Sequence, residues 1–125
     1  MSKKILIAED DESIIEVVRI ILEDAGYTVH TASTSDQFSQ KLDTVAPDLL
    51  LLDIWLSGED GGKIARDVKG NPKTAALPII IVSANAETAK IAHEVGADDF
   101  LLKPFDIEDL LGIVLKHIEA KHPGK

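Results

Sequence analysis

The feature that most constrains the fold is a strict alternation of two kinds of segment along the chain. Five short apolar runs predict β-strands, and they lie at Lys4–Ala8, Tyr27–Thr31, Asp48–Asp53, Leu77–Val82 and Asp99–Leu102. Segments with apolar residues at helical spacing follow them, at Asp11–Ala25, Ser35–Ala46, a short stretch ending near Lys69, Ala86–Val95 and from Ile107 onward. This alternation predicts a parallel sheet with right-handed crossovers and helices on both faces.

The length and composition fit one domain of this architecture. The chain has 125 residues, of which 45% are hydrophobic and 28% charged. We expect a single domain over residues 1–125, with its core at about 4–118 and a C-terminal tail at 119–125. The apolar runs are too short to span a bilayer or to form a signal peptide. The absence of cysteine excludes disulfides and thiolate chemistry. The cytoplasm is therefore the expected location.

Acidic residues exceed basic ones, and they are unevenly placed. The chain has 22 Asp and Glu against 13 Lys and Arg, a formal net charge of −9. This charge opposes binding to nucleic acid and to anionic membrane surfaces, so neither is an expected partner. Two short clusters hold seven of the carboxylates, at residues 9–12 and at Asp53, Glu59 and Asp60. The placement of these groups, rather than their number, bears on function.

Polar residues follow or end four of the predicted strands, where ligands bind in open parallel sheets. Glu9 and Asp10 follow the first strand, Asp53 ends the third, Ser83 follows the fourth and Lys103 the fifth. Carboxylates held close together repel one another, and a hard divalent cation such as Mg²⁺ relieves that repulsion. Asp53 is then a candidate nucleophile that forms an aspartyl phosphate. Ser83 could donate a hydrogen bond to that phosphoryl group, and Lys103 could neutralise its charge.

Each of these residues also has an ordinary structural interpretation. Asp10 or Asp11 can cap the helix that follows, and Ser83 can be a cap or turn residue. An isolated Lys103 is usually a solvated lysine. Asp53 is harder to explain in this way, because a carboxylate at the end of four buried leucines is costly without a partner. The histidines are scattered and receive no metal role: His30, His93, His117 and His122.

Taken together and in order, these motifs resemble those of the receiver domains of two-component response regulators, the CheY-like family. The resemblance extends from about Lys4 to Ile118. The matching motifs are Glu9-Asp10, Asp53, Asp60-Gly61, Ser83-Ala84, Gly96-Ala97-Asp98-Asp99 and Lys103-Pro104-Phe105. The resemblance implies an α/β fold of the (βα)₅ doubly wound type, flavodoxin- or CheY-like, with a five-stranded parallel sheet in the strand order 2-1-3-4-5. One departure is Leu56-Ser57-Gly58, where the family often has a proline.

The resemblance also implies a metal site and its ligands. Asp53 would be the phosphoacceptor, and the cofactor would be Mg²⁺. Asp10 and Asp53 would ligate the metal directly, together with the backbone carbonyl of Trp55. Glu9 would act through water.

Further residues of the resemblance would contact the phosphoryl group or respond to it. Ser83 and Lys103 would bind its oxygens, and the Lys103–Pro104 peptide is expected to be cis. Ser83 and Phe100 would form the switch, in which Ser83 moves toward the phosphoryl group and Phe100 turns inward. The surface formed by the fourth helix, fifth strand and fifth helix would then change.

The expected function is therefore a phosphorylation-controlled signalling switch and not an enzyme with its own substrate. A sensor histidine kinase or a histidine phosphotransfer protein would donate the phosphoryl group, and a downstream protein would bind the changed surface. We expect a stand-alone protein; a phosphorelay intermediate and a module of a hybrid kinase or longer regulator remain open. A Mg²⁺-dependent phosphohydrolase is a more distant alternative, because the chain has neither a P-loop nor an Asp-x-Asp motif at Asp53. A third alternative is an interaction module that works without phosphorylation, and it would require a site that lacks some of the matching residues.

Overall fold

The structure is a computed structural model that describes residues 2–56 and 59–120. These residues form alternating strands and helices. Only the backbone is described at positions 55, 56, 59, 60, 119 and 120. The strands are β1 (Lys4–Ala8), β2 (Thr28–Ala32), β3 (Leu49–Asp53), β4 (Trp55–Leu56), β5 (Glu59–Asp60), β6 (Ile79–Ser83) and β7 (Asp99–Leu102). The helices are α1 (Glu12–Asp24), α2 (Ser35–Val45), α3 (Gly61–Gly70), α4 (Thr88–Val95) and α5 (Ile107–Ala120). Among the described residues, no helix is both long and apolar enough to cross a membrane.

Five of the strands form one parallel sheet. Its order is β2-β1-β3-β6-β7, and every neighbouring pair is parallel. Because β6 and β7 are the predicted fourth and fifth strands, the order 2-1-3-4-5 is confirmed. The register pairs Ala8 with Leu52, Asp53 with Val82, and Ser83 with Leu102. The carboxyl ends of four strands therefore meet at one edge of the sheet.

The core lies in two layers, one on each face of the sheet. On one face, Leu50 and Leu52 of β3 pack with residues of α2, α3 and α4. On the other, Leu49 and Leu51 pack with residues of α1 and α5. All five residues of β3 are buried, which confirms the prediction of a strand covered on both sides. Because the four leucines of β3 are buried in the sheet, its last residue, Asp53, lies where the carboxyl ends of the strands meet.

The connection between β3 and α3 differs from its prediction. The sequence analysis placed no strand between the third predicted strand and the helix ending near Lys69, but the structure has a short antiparallel pair of strands there, β4 with β5, and α3 begins at Gly61. Two-residue strands have no measurable periodicity, so the sequence pattern could not indicate them. Ser57 and Gly58, and residues 121–125 of the expected tail, lie outside the described residues.

Candidate functional site

Three carboxylates come together at the carboxyl edge of the sheet. Glu9 and Asp10 follow β1, and Asp53 ends β3, its immediate neighbour in the sheet. One oxygen from each of the three lies within 4.8 Å of the others, and within the described residues no other such cluster of potential metal ligands occurs. Glu9 and Asp53 are buried, whereas Asp10 is exposed. Oxygen donors at this spacing fit a hard divalent cation, and the exposed Asp10 leaves the cluster open to solvent on one side.

Asp10 and Asp11 have different roles, although they are adjacent. Asp11 is the N-cap of α1, and its Oδ1 accepts hydrogen bonds from the backbone N–H groups of Ser13 and Ile14 at 2.9 and 3.4 Å. The capping interpretation therefore applies to Asp11. Asp10 instead contributes its carboxylate to the cluster with Glu9 and Asp53.

Lys103 places a positive charge beside this cluster. Its Nζ lies 2.9 Å from Oε1 of Glu9 and 3.8 Å from Oδ2 of Asp53. The lysine side chain is 19% exposed, so it is not an ordinary solvated lysine. The Lys103–Pro104 peptide is cis, as expected. The second oxygen of Glu9 accepts the N–H of Asp11 at 3.1 Å. The carboxylate of Glu9 is thus held at both oxygens.

Sequence reasoning missed the ion pair between Glu9 and Lys103. It assigned Glu9 to a water-mediated metal contact and Lys103 to the phosphoryl group. The two residues are separated by 94 positions, and only the strand order brings them together. The only signal in the sequence was that each follows a strand expected to end at the same edge.

Ser83 lies at the edge of the site and also makes a turn contact. It is the last residue of β6, next to β3, and it is 4% exposed. Its Oγ accepts the N–H of Asn85 at 3.0 Å, so the turn interpretation is also correct. A hydroxyl group can still donate its proton while it accepts this bond. The turn contact therefore leaves Ser83 able to donate a hydrogen bond toward the site.

Phe100 lies on β7, opposite Ile81 of β6. Its ring is partly buried and packs with the core layer that includes α2, α3 and α4. Phe100 is one strand removed from Asp53, because β6 lies between β3 and β7.

The backbone beneath the site requires a glycine at position 61. The N–H of Gly61 donates to the carbonyl oxygen of Ile54 at 2.7 Å. A Cβ at this position would lie 2.5 Å from the carbonyl oxygen of Asp53 and 2.7 Å from that of Ile54. Only a residue without a side chain allows α3 to start this close to β3. Trp55, the expected source of a carbonyl ligand, begins β4, and its side chain lies outside the described part.

An apolar cleft of about 420 Å³ opens beside Lys103. It lies between α1 and the segment after β7, and its lining includes Ile14, Val17, Ala84, Pro104 and Phe105. Val17 and Ile20 on α1 are 54% and 56% exposed. A larger groove of about 530 Å³ lies between α2 and α3, away from the carboxylates. The cleft on α1 adjoins the site through Lys103, and the sequence pattern did not indicate it.

Comparison with known proteins agrees with the fold. A family model for the response regulator receiver domain matches residues 5–115. The alkaline phosphatase synthesis transcriptional regulatory protein PhoP of Bacillus subtilis is 36% identical over 99% of this chain and 53% of its own length. The phosphate regulon transcriptional regulatory protein PhoB of Rhizobium meliloti is 34% identical over 98% of this chain and 55% of its own. The chain thus spans about half the length of these curated relatives.

Solved structures show the same similarity over whole chains. The CheY-like response regulator receiver domain protein of Methanospirillum hungatei superposes with a TM-score of 0.87 at 27% identity, covering 97% of each chain. The receiver domain of NtrX from Brucella abortus gives a TM-score of 0.85 at 33% identity, covering 92% of this chain and 98% of that one.

The chain therefore belongs to the response regulator receiver domain family. It is a phosphoacceptor signalling domain with the CheY-like fold. Its cluster of Glu9, Asp10 and Asp53 could hold the metal ion that receiver domains bind.

Proposed function

We propose that Asp53 accepts a phosphoryl group from a phosphohistidine on a sensor histidine kinase or a histidine phosphotransfer protein. The observation that carries this proposal is the convergence of Glu9, Asp10 and Asp53 within 4.8 Å, with the amine of Lys103 3.8 Å from Asp53. A buried carboxylate beside two others and one lysine is poorly explained by stability alone. It is well placed to react with an electrophile and to have the product's charge neutralised.

The donor set favours Mg²⁺ as the cofactor. Asp10 and Asp53 would ligate it directly with the backbone carbonyl of Trp55, and Glu9 would act through water. All of these donors are oxygens, which suits a hard cation better than a soft one. When bound, the ion supplies positive charge that reduces repulsion among the carboxylates and toward the incoming phosphoryl oxygens.

The chemical step uses the groups of the chain in distinct roles. A carboxylate oxygen of Asp53 attacks phosphorus, and the bond between phosphorus and the donor's imidazole nitrogen breaks. The electron pair of that bond stays on the nitrogen, and an acyl phosphate forms on Asp53. Lys103, whose ammonium group has three N–H donors and lies 3.8 Å from Asp53, stabilises the charge on the phosphoryl oxygens. The hydroxyl of Ser83 donates a hydrogen bond to a phosphoryl oxygen.

The phosphorylated state then alters a protein-binding surface. Movement of Ser83 toward the phosphoryl group leaves space that the ring of Phe100 fills. The surface of α4, β7 and α5 changes with it and binds a downstream protein. The phosphoryl group shifts this equilibrium only by its preference for one state over the other.

The phosphohistidine partner docks on the apolar cleft beside Lys103. The cleft adjoins the site through Lys103, and the exposed Val17 on α1 is part of its apolar lining. We assign the chain no nucleic-acid or membrane partner, an inference that the net charge of −9 supports. We place it in the cytoplasm, which the absence of cysteine supports. We also infer that residues 1–125 form one domain that signals rather than turns over a substrate.

Intact mass measurement tests the proposal. The protein is incubated with acetyl phosphate and Mg²⁺, and a single phosphoryl adduct is expected that is lost when EDTA removes the metal. Asp53→Asn, which keeps the shape of the side chain, should give no adduct. An adduct that survives in Asp53→Asn, or one that forms equally well in EDTA, contradicts the proposal.

A further inference from the structure

One carboxylate away from the acceptor site joins the last helix to the backbone of the edge strand. Asp99 is the first residue of β7, and its Oδ2 lies 2.8 Å from Nε2 of His117 on α5. Its other oxygen, Oδ1, accepts the backbone N–H of Phe100 at 2.9 Å. Because an ionised carboxylate only accepts hydrogen bonds, the imidazole Nε2–H is the donor. The carboxylate of Asp99 therefore connects α5 to Phe100.

The contact between Asp99 and His117 is more buried than an ordinary surface ion pair. The side chains of His117 and Asp99 are 14% and 22% exposed. Lys116 lies 3.5 Å from the same Asp99 oxygen, but its side chain is 69% exposed. Burial alone raises the pKa of Asp99, but the hydrogen bonds from His117 and the Phe100 N–H, and the charge of Lys116, outweigh it and leave the pKa below its ordinary value. The carboxylate is therefore ionised and held by both contacts at neutral pH.

The position of β7 in the sheet gives this contact its significance. β7 is an edge strand with one neighbour, β6, so its other side depends on contacts with the helices. Successive residues of a strand point to opposite faces. Phe100 packs on the layer with α2, α3 and α4, whereas Leu101, like the Asp99 contact to α5, belongs to the other face. The ring of Phe100 thus packs on the face of the sheet opposite α5. Asp99 connects the two by hydrogen bonding both the backbone N–H of Phe100 and the imidazole of His117 on α5.

We propose that Asp99 and His117 are positioning residues that couple α5 to the strand carrying Phe100, and that they transmit the phosphorylation-dependent change at Phe100 to α5. This inference rests on the proposed function of Asp53 and adds the route by which the last helix responds. It assigns a role to a histidine and an aspartate that touch neither the metal ligands nor the phosphoryl group.

The test uses variants of His117 that separate hydrogen bonding from packing. His117→Phe keeps an aromatic ring but removes the donor, whereas His117→Gln restores an N–H donor. His30→Phe is the matched control, because His30 lies on β2, at the opposite edge of the sheet. Asp99→Ala removes both hydrogen bonds and is a second variant should His117→Phe fail to fold. Each ¹⁵N-labelled chain is treated with acetyl phosphate and Mg²⁺, and the adduct is measured by mass in the same sample.

Amide chemical shifts then report the coupling. In His117→Phe the adduct should form as in the parent and the Phe100 amide should shift, but the phosphorylation-dependent shifts of the α5 amides should be lost. His117→Gln and His30→Phe should retain them. Persistence of the α5 shifts in His117→Phe, or their equal loss in His117→Gln, overturns the coupling role. If the parent itself forms no adduct, the proposed function fails, and the role of the pair in the switch fails with it.

Discussion

Glu9 illustrates how single side chains organise this site. Its carboxylate is only 3% exposed, and a buried charge is unfavourable unless it is paired and hydrogen-bonded. Lys103 pairs with one oxygen, and the N–H of Asp11 donates to the other. Asp11 in turn fixes the start of α1 through its cap. Glu9 therefore holds the start of α1 and the lysine after β7 relative to one another.

Gly61 provides the sharpest test at the residue scale. In Gly61→Ala the new methyl would overlap the carbonyl oxygens of Asp53 and Ile54, so we expect a loss of about 1–3 kcal/mol in the free energy of unfolding. Gly112→Ala on α5 is the control, since no atom lies within 4 Å of a Cβ there, and it should stabilise by about 0.5–1 kcal/mol. Urea unfolding measures both. A Gly61→Ala chain as stable as the parent would show that α3 can move away from β3 without cost.

At the scale of secondary-structure elements, the tie between β7 and α5 should make stability depend on pH. Burial raises the pKa of Asp99, but the His117 and Phe100 hydrogen bonds and the Lys116 charge lower it by more than burial raises it. The pKa of Asp99 in the folded chain therefore lies below its value in the unfolded chain. The unfolded chain then binds the proton more readily. The stabilisation is therefore present above the ordinary aspartate pKa and is lost as the pH falls through the folded value.

Urea unfolding at a series of pH values measures this effect. The difference in unfolding free energy between the parent and Asp99→Asn should be present at pH values above the ordinary aspartate pKa and should shrink as the pH falls below it. Asp67→Asn is the control, because the Asp67 side chain is 69% exposed in a pair with Lys63 that contributes little. A difference for Asp99→Asn that stays constant, or that grows, as the pH falls below the ordinary aspartate pKa contradicts the assigned contacts.

The strands and helices were predictable from the sequence where a single physical effect, such as the burial of apolar side chains, determined their structure. The four leucines of β3 suit a strand covered on both faces, and the structure has that strand with Asp53 as its last residue. The β4–β5 hairpin was missed, because its pairing is formed by backbone groups and has no apolar pattern. The contact of Asp99 with His117 was also missed. It spans 18 positions and depends on where α5 crosses the sheet, which local sequence does not specify.

At the scale of the whole molecule, the acidic cluster predicts that metal binding stabilises the folded chain. The cluster of Glu9, Asp10 and Asp53 forms only when β1 and β3 are paired, so Mg²⁺ should bind the folded state in preference to the unfolded one. At a free concentration ten times its Kd, Mg²⁺ should add about 1.4 kcal/mol to the free energy of unfolding. Asp53→Asn should lose most of this gain.

Thermal or urea unfolding at matched ionic strength measures the metal effect. NaCl replaces MgCl₂ in the reference sample, so that general screening of the net charge of −9 is the same in both. An equal gain in the parent and in Asp53→Asn would show that the ion acts on the surface charge of the molecule and not at this cluster.

Asp53 is the proposed carrier of the phosphoryl group, and chemical localisation can identify the modified residue. Borohydride reduces an acyl phosphate to an alcohol, which converts a phosphorylated aspartate into homoserine. After treatment of the protein with acetyl phosphate and Mg²⁺, reduction and peptide sequencing should place homoserine at position 53 and leave Asp10 as aspartate. Homoserine at position 10, or an adduct that borohydride leaves unchanged, would contradict the assignment of Asp53 as the acceptor.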